Sequence, residues 1–140
     1  MRKAASLGSL ILGAILIIGG AFTWFVVSGT LADQNIMTSE DACLPNNAVD
    51  GPFTAYCEAQ VIEVHALQAT DGLTYAELER EDPRRATAMN ASFLRASLFT
   101  SVVAFGVAAM AAGMGVIFIL IGLGMRDVAE NLPRERVGAR

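Results

Sequence analysis

Hydrophobic and polar positions divide the chain into two long apolar runs and a polar middle. Residues 4–32 carry no ionisable side chain, and 7–27 (LGSLILGAILIIGGAFTWFVV) are almost wholly apolar or small. At 1.5 Å per residue this run is long enough to cross a hydrocarbon core of about 30 Å. A second uncharged run covers 96–125, densest at 101–123. The pattern predicts two transmembrane helices, at 7–29 and 96–125, with a short tail at 1–6, a connecting segment at 30–95 and a tail at 126–140.

Turn residues organise the middle. Residues 33–50 are polar and interrupted by Pro45, Asn46 and Asn47, which predicts an extended loop. After Gly51 and Pro52 a helical period places Phe53, Tyr56, Cys57, Val61, Val64 and Leu67 on one face, with Glu58 and His65 opposite. Asp71 and Gly72 end that helix. Thr74 and Glu77 have capping-box spacing and predict a short helix to about Glu81. Asp82 and Pro83 read as the N-cap and first position of another helix. No breaker follows Arg84 before Gly106, so the second span should project beyond the bilayer by about two turns.

Composition agrees with this reading. Of 140 residues, 54% are hydrophobic and 17% charged, against about 45–50% and 25% in soluble domains. Net charge is −4, which disfavours a nucleic-acid surface. Its distribution sets an orientation. The ends carry Arg2, Lys3, Arg126, Arg134, Arg136 and Arg140 against Asp127, Glu130 and Glu135, or +3; the segment 32–95 carries −7. Short basic segments remain cytoplasmic, so both termini are expected inside the cell membrane and the loop outside. A cleaved signal sequence is the alternative for the first run, given Arg2, Lys3 and the TLA at 30–32, but its apolar core exceeds the usual 7–15 residues or so. Trp24, Phe25, Phe93 and Phe99 suit an interfacial aromatic belt.

Lipid supplies little hydrophobic drive for helix association, so small residues mark contacts. Ala5, Ser9 and Gly13 recur every four residues in the first span. In the second, Ala96, Thr100, Ala104, Ala108 and Ala112 form one row, with Ser97, Ser101, Phe105, Ala109 and Gly113 beside it. Ser9, Gly13, Ala104, Ala108, Ala109, Ala112 and Gly113 are therefore the expected packing residues, within the helix pair or against other subunits. Cys43 and Cys57 both fall in the outer segment, where oxidation favours a disulfide. Closing that loop of about fifteen residues is worth roughly 3 kcal/mol.

Candidate chemistry is sparse. His65 is the sole imidazole, and Glu58, seven residues away, stands about 10 Å off along a helix. Zinc sites, nucleophile–base pairs and Cys-x-x-Cys redox motifs are missing. Both spans lack the buried ionisable residues of transporters and proton relays. Haem ligands inside the bilayer reduce to Met110 and Met114, whose ordinary role is packing.

The runs GPFTAY at 51–56, HAL at 65–67, TYAEL at 74–78, DP at 82–83 and MNASFLRASLFTSVVAFGV at 89–107 resemble a family of small actinobacterial two-span membrane proteins. The resemblance covers nearly the whole chain and implies the same topology. Such proteins often bear the label of aromatic ring-opening dioxygenases. A non-haem iron oxygenase needs two His and a carboxylate, and one His is present here. Within the long motif Asn90, Arg95 and Ser97 sit at the outer boundary, where they could contact a partner; Arg95 could instead snorkel.

The expectation is an all-α membrane protein: a hairpin of two transmembrane helices with a small helical extracytoplasmic domain between them. Its expected role is that of a non-catalytic accessory subunit of a larger bacterial membrane complex, a respiratory one by analogy. Lipid and other integral subunits are its expected partners, with no cofactor, metal, nucleic acid or small-molecule substrate. The alternative is a ligand-binding or sensing protein that uses the acidic outer segment.

Overall fold

A computed structural model describes residues 2–131; Met1 and residues 132–140, most of the expected C-terminal tail, lie outside the described residues. Three helices follow in order: α1 Arg2–Ala32, α2 Pro52–Ala69 and α3 Arg85–Asn131. Both flanking segments are helical where described, so 2–6 and 126–131 continue α1 and α3 rather than forming separate tails. Helices α1 and α3 are long and apolar enough to cross a membrane, with mean hydropathies of 2.5 and 2.4 in their most apolar windows. Only 11% and 17% of those windows are buried. Such exposure is the opposite of what the core helix of a water-soluble protein shows.

The chain forms two compact units, Met1–Phe22 with Ala108–Arg140, and Thr23–Val107. In the first, α1 and α3 meet through residues that have almost no side chain. A Cβ on Gly13 would stand 2.7 Å from the Gly115 carbonyl oxygen, and one on Gly20 would stand 2.6 Å from that of Ala108. Ser6 Oγ donates to the Gly122 carbonyl and Ser9 Oγ to that of Phe118, both at 2.7 Å. Partner numbers fall as α1 numbers rise, so the segments run antiparallel.

The second unit has a core of Leu31, Val49, Ala55, Ala59, Leu98 and Phe105. Helix α2 starts where Pro52 supplies a preset φ and Thr54 Oγ1 accepts from the Gly51 N–H at 3.3 Å. It ends as expected at Asp71 and Gly72, both at positive φ, with the Gly72 N–H on the Leu67 carbonyl at 2.7 Å. The loop before it is turned back on itself rather than extended. The Thr38 N–H donates to the Asn47 carbonyl and the Val49 N–H to that of Ile36, at 2.8 and 2.9 Å. Left-handed Asn35 and Asn46 turn its corners.

Two local expectations need correction. Thr74 and Glu77 form half of the expected cap: the Thr74 N–H and hydroxyl both donate to Glu77 Oε2, at 2.8 and 2.7 Å, while the Glu77 N–H bonds the Thr74 carbonyl and not its hydroxyl. No helix follows, however, only a turn. Arg85 Nη1 donates to the Leu78 carbonyl at 2.6 Å and its guanidinium covers the Tyr75 ring at 4.1 Å, so that carbonyl is satisfied by a side chain from α3. The face of α2 is also turned. Ala55, Cys57, Glu58, Ala59 and Val61 are buried, while Phe53, Tyr56 and Val64 are exposed.

Candidate functional site

The small alanines explain that rotation. Ala55 and Ala59, one turn apart, let the α2 backbone approach Leu31 and Leu98 closely, and Glu58 lies on the same side. Glu58 as a whole residue is only 7% exposed. It accepts from the Ser39 N–H at 2.9 Å and from Ser39 Oγ at 3.3 Å. Among the described residues no cation stands within ion-pair distance of it. This is the functional candidate missed by sequence reasoning. The signal was the spacing of Ala55, Glu58, Ala59 and Ile62, in which small residues, not large ones, mark the packed face.

Beside Glu58 opens a groove of about 650 Å³. One wall runs along α1 from Val26 to Leu31 and on to Gln34 in the turn that follows, and another along α3 from Leu94 to Ala104; Ile36 and Ile62 contribute the rest of its apolar surface. Contacts in the same unit set the level of each wall. Trp24 meets Phe105 edge-on at 4.7 Å, and Leu31 and Leu98 share the core, so Val26 and Ala104 mark one end and Gln34 and Leu94 the other. Hydroxyls along the walls are bonded within their own helices: Thr30 to Val26, Thr100 to Ala96 and Ser101 to Ser97.

Cys43 and Cys57 form the expected disulfide, with Cα atoms 5.3 Å apart, and it fixes the loop to α2 beside Ala42 and Val61. Near it His65 Nε2 meets Asp41 Oδ2 at 2.7 Å, with both side chains about half exposed. Arg95 does not extend alone. Its guanidinium pairs with Glu63 of α2 at 2.5 Å and lies 5.3 Å from the centre of the Phe99 ring, while Nε is buried without a partner. Asn90 is exposed, and Ser97 lies on the rim of the groove. Phe25 and Phe93 are exposed as an interfacial belt requires, whereas Trp24 packs on Phe105 and Phe99 on Tyr56.

The structure separates the two small-residue rows. Ser9, Gly13, Ala108 and Ala112 make the contact between α1 and α3, and Ala104 lines the groove. Ala109 and Gly113 do not join it. Ala109 is exposed, and a Cβ on Gly113 would have nothing within 4 Å. Ser6, Gly20, Gly115 and Gly122 complete the contact instead.

The comparisons then give nothing to borrow from. No family model, curated protein or solved structure matches this chain. Its chemistry must be read from its own groups. Among the described residues no three of His, Cys, Asp and Glu converge as metal ligands. The perturbed titrations belong to surface turns. Glu77 is held below the usual carboxylate range by the Thr74 N–H and hydroxyl. Asp82 is held low by the Arg84 side chain and N–H, and Arg84 is raised in turn by Asp82. These are structural ties, since each partner is already engaged with the other.

Proposed function

We propose that this protein is a non-catalytic accessory subunit of a larger membrane complex. In this reading α1 and α3 form a transmembrane hairpin, both termini are cytoplasmic, and residues 30–95 form a small extracytoplasmic helical domain. The separation of charge, +3 at the ends and −7 between, supports the sidedness, and a disulfide suits an oxidising exterior.

One observation carries the subunit reading: each apolar helix has a second small-residue face that the pair itself does not use. Among the described residues, nothing lies within 4 Å of where a Cβ would stand on Gly8 and Gly19 of α1 or on Gly113 and Gly124 of α3. Each pair is eleven residues apart, which returns to within about 20° of the same face at 100° per residue. On that wheel Gly115 and Gly122 stand about 180–200° from Gly113, so the open face of α3 is opposite the occupied one. Open faces of this kind accept the close approach of further helices. The groove beside Glu58 favours the second reading, a ligand-binding membrane protein.

Co-purification from mild detergent tests the first. Gly113→Leu with Gly124→Leu should remove specific, stoichiometric membrane partners, while His65→Ala should retain them. A wild-type chain that emerges alone or as a pure homo-oligomer would overturn the subunit reading.

A further inference from the structure

We propose that the groove beside Glu58 is a lipid site, which takes one apolar chain along α1 and α3 and an ammonium headgroup at the Glu58 carboxylate. Size, polarity and charge lead separately to this ligand. A volume of about 650 Å³ falls within the roughly 300–1,000 Å³ of ligand pockets. From Val26 to Leu31 and from Leu94 to Ala104 the helical walls extend about 8 and 15 Å.

Polarity changes along the groove. At its Val26 and Ala104 end the hydroxyls of Thr30 and Ser101 already donate to carbonyls of their own helices, which leaves an apolar lining without free donors. Toward the other end stand Gln34 and Glu58. Tyr56 against Phe99 and Glu63 against Arg95 bracket Glu58 at the level of the outer half. An amphiphile matches that order: chain at one end, polar head at the other.

Charge selects the head. A carboxylate this buried is costly unless it is paired, and its two bonds from Ser39 are neutral. The guanidinium of Arg95, on the α3 wall's outer part, is held by Glu63. An ammonium group donates up to three hydrogen bonds and offsets the charge, whereas an anionic head would add a like charge at low dielectric. The site therefore prefers an amine-bearing zwitterionic phospholipid to an anionic one.

Native mass spectrometry of the delipidated full chain in mild detergent, with phosphatidylethanolamine or phosphatidylglycerol of identical acyl chains, tests this. The expected result is one phosphatidylethanolamine retained per chain, with about tenfold preference over phosphatidylglycerol. Val26→Trp, at the exposed rim, should lower retention of both by filling the groove, with the disulfide and helix content intact. Glu58→Gln should keep chain binding and abolish the headgroup preference. Soluble ethanolamine should not compete. Equal retention of the two lipids by the wild type, indifference to Val26→Trp, competition by ethanolamine, or occupation by a second copy of the chain would each overturn the proposal. The measurement uses the isolated chain, so its outcome is independent of whether a partner complex exists.

Discussion

The unit Met1–Phe22 with Ala108–Arg140 and the unit Thr23–Val107 solve the same problem, holding helices in register, by opposite means. In the first, register comes from what is missing. Gly13, Gly20, Gly115 and Gly122 let backbones touch, and two serine hydroxyls reach across to carbonyls. In the second it comes from what is added: a disulfide, the Arg95–Glu63 pair, the Glu58–Ser39 bonds and edge-on aromatic contacts. The difference follows the side chains each unit has to offer. Polar ties are costly to assemble in hydrocarbon and compete with water outside it, whereas close van der Waals approach works in both. A unit this small also lacks the buried area to hold its loop by packing alone.

The largest break in this comparison should come from the disulfide. Cys57→Ala with Cys43→Ala should cost the Thr23–Val107 unit about 3 kcal/mol, by the entropy of a loop of about fifteen residues, and should leave the glycine contact between α1 and α3 in place. Differential protease sensitivity of the 33–51 loop against the helices checks it. Equal loosening of both units would show that their stabilities are not separable.

A somewhat smaller effect is expected from the reverse experiment. Gly20→Ala puts a methyl 2.6 Å from the Ala108 carbonyl oxygen, a backbone atom that cannot rotate away. Overpacking of this kind costs about 1–3 kcal/mol. Gly113→Ala adds the same methyl where nothing lies within 4 Å, and should be neutral or slightly stabilising. Denaturation in detergent, followed by helix content, compares the two; equal loss from both would refute the assigned register.

The smallest effect lies in the surface turns of the second unit. Glu77 and Asp82 have carboxyls held below their ordinary values of 4.5 and 3.8, so their stabilisation is complete above those values and is lost as the pH falls through the lowered ones. The Thr74 and Arg84 amide resonances should report this in an acid titration, with midpoints below the ordinary carboxylate values. Midpoints at or above them would remove both caps from the account.

Much of this arrangement was legible in the sequence where signals are local. Pro52 and the Asp71–Gly72 pair bound α2, the two uncharged runs gave the long helices, and the position of both cysteines indicated their pairing. The misreadings have one physical source, which is that an isolated segment does not reveal its neighbour. Helix α2 has two plausible faces, and the large residues Phe53, Tyr56 and Val64 indicated the one that packs less. The side that packs has alanines because Leu31 and Leu98 come close to it. Likewise nothing local to Thr74 announces that Arg85 will take the Leu78 carbonyl and stop a helix at one turn. The small-residue rows showed that α3 would pack but not which row, since Gly13 and Gly20 of α1 select Gly115 and Ala108.

The vacancies that admit this contact also restrict what the pair can transmit. If α1 slid past α3 by about one turn, roughly 5.4 Å, Ser9 or Ile17 would stand where Gly13 now lies, with a side chain against the Gly115 carbonyl that now faces a bare Cα. A piston stroke of one helix against the other is thus blocked within a turn. Mechanically the paired segment behaves as one strut, and any displacement applied to either helix there is carried by both.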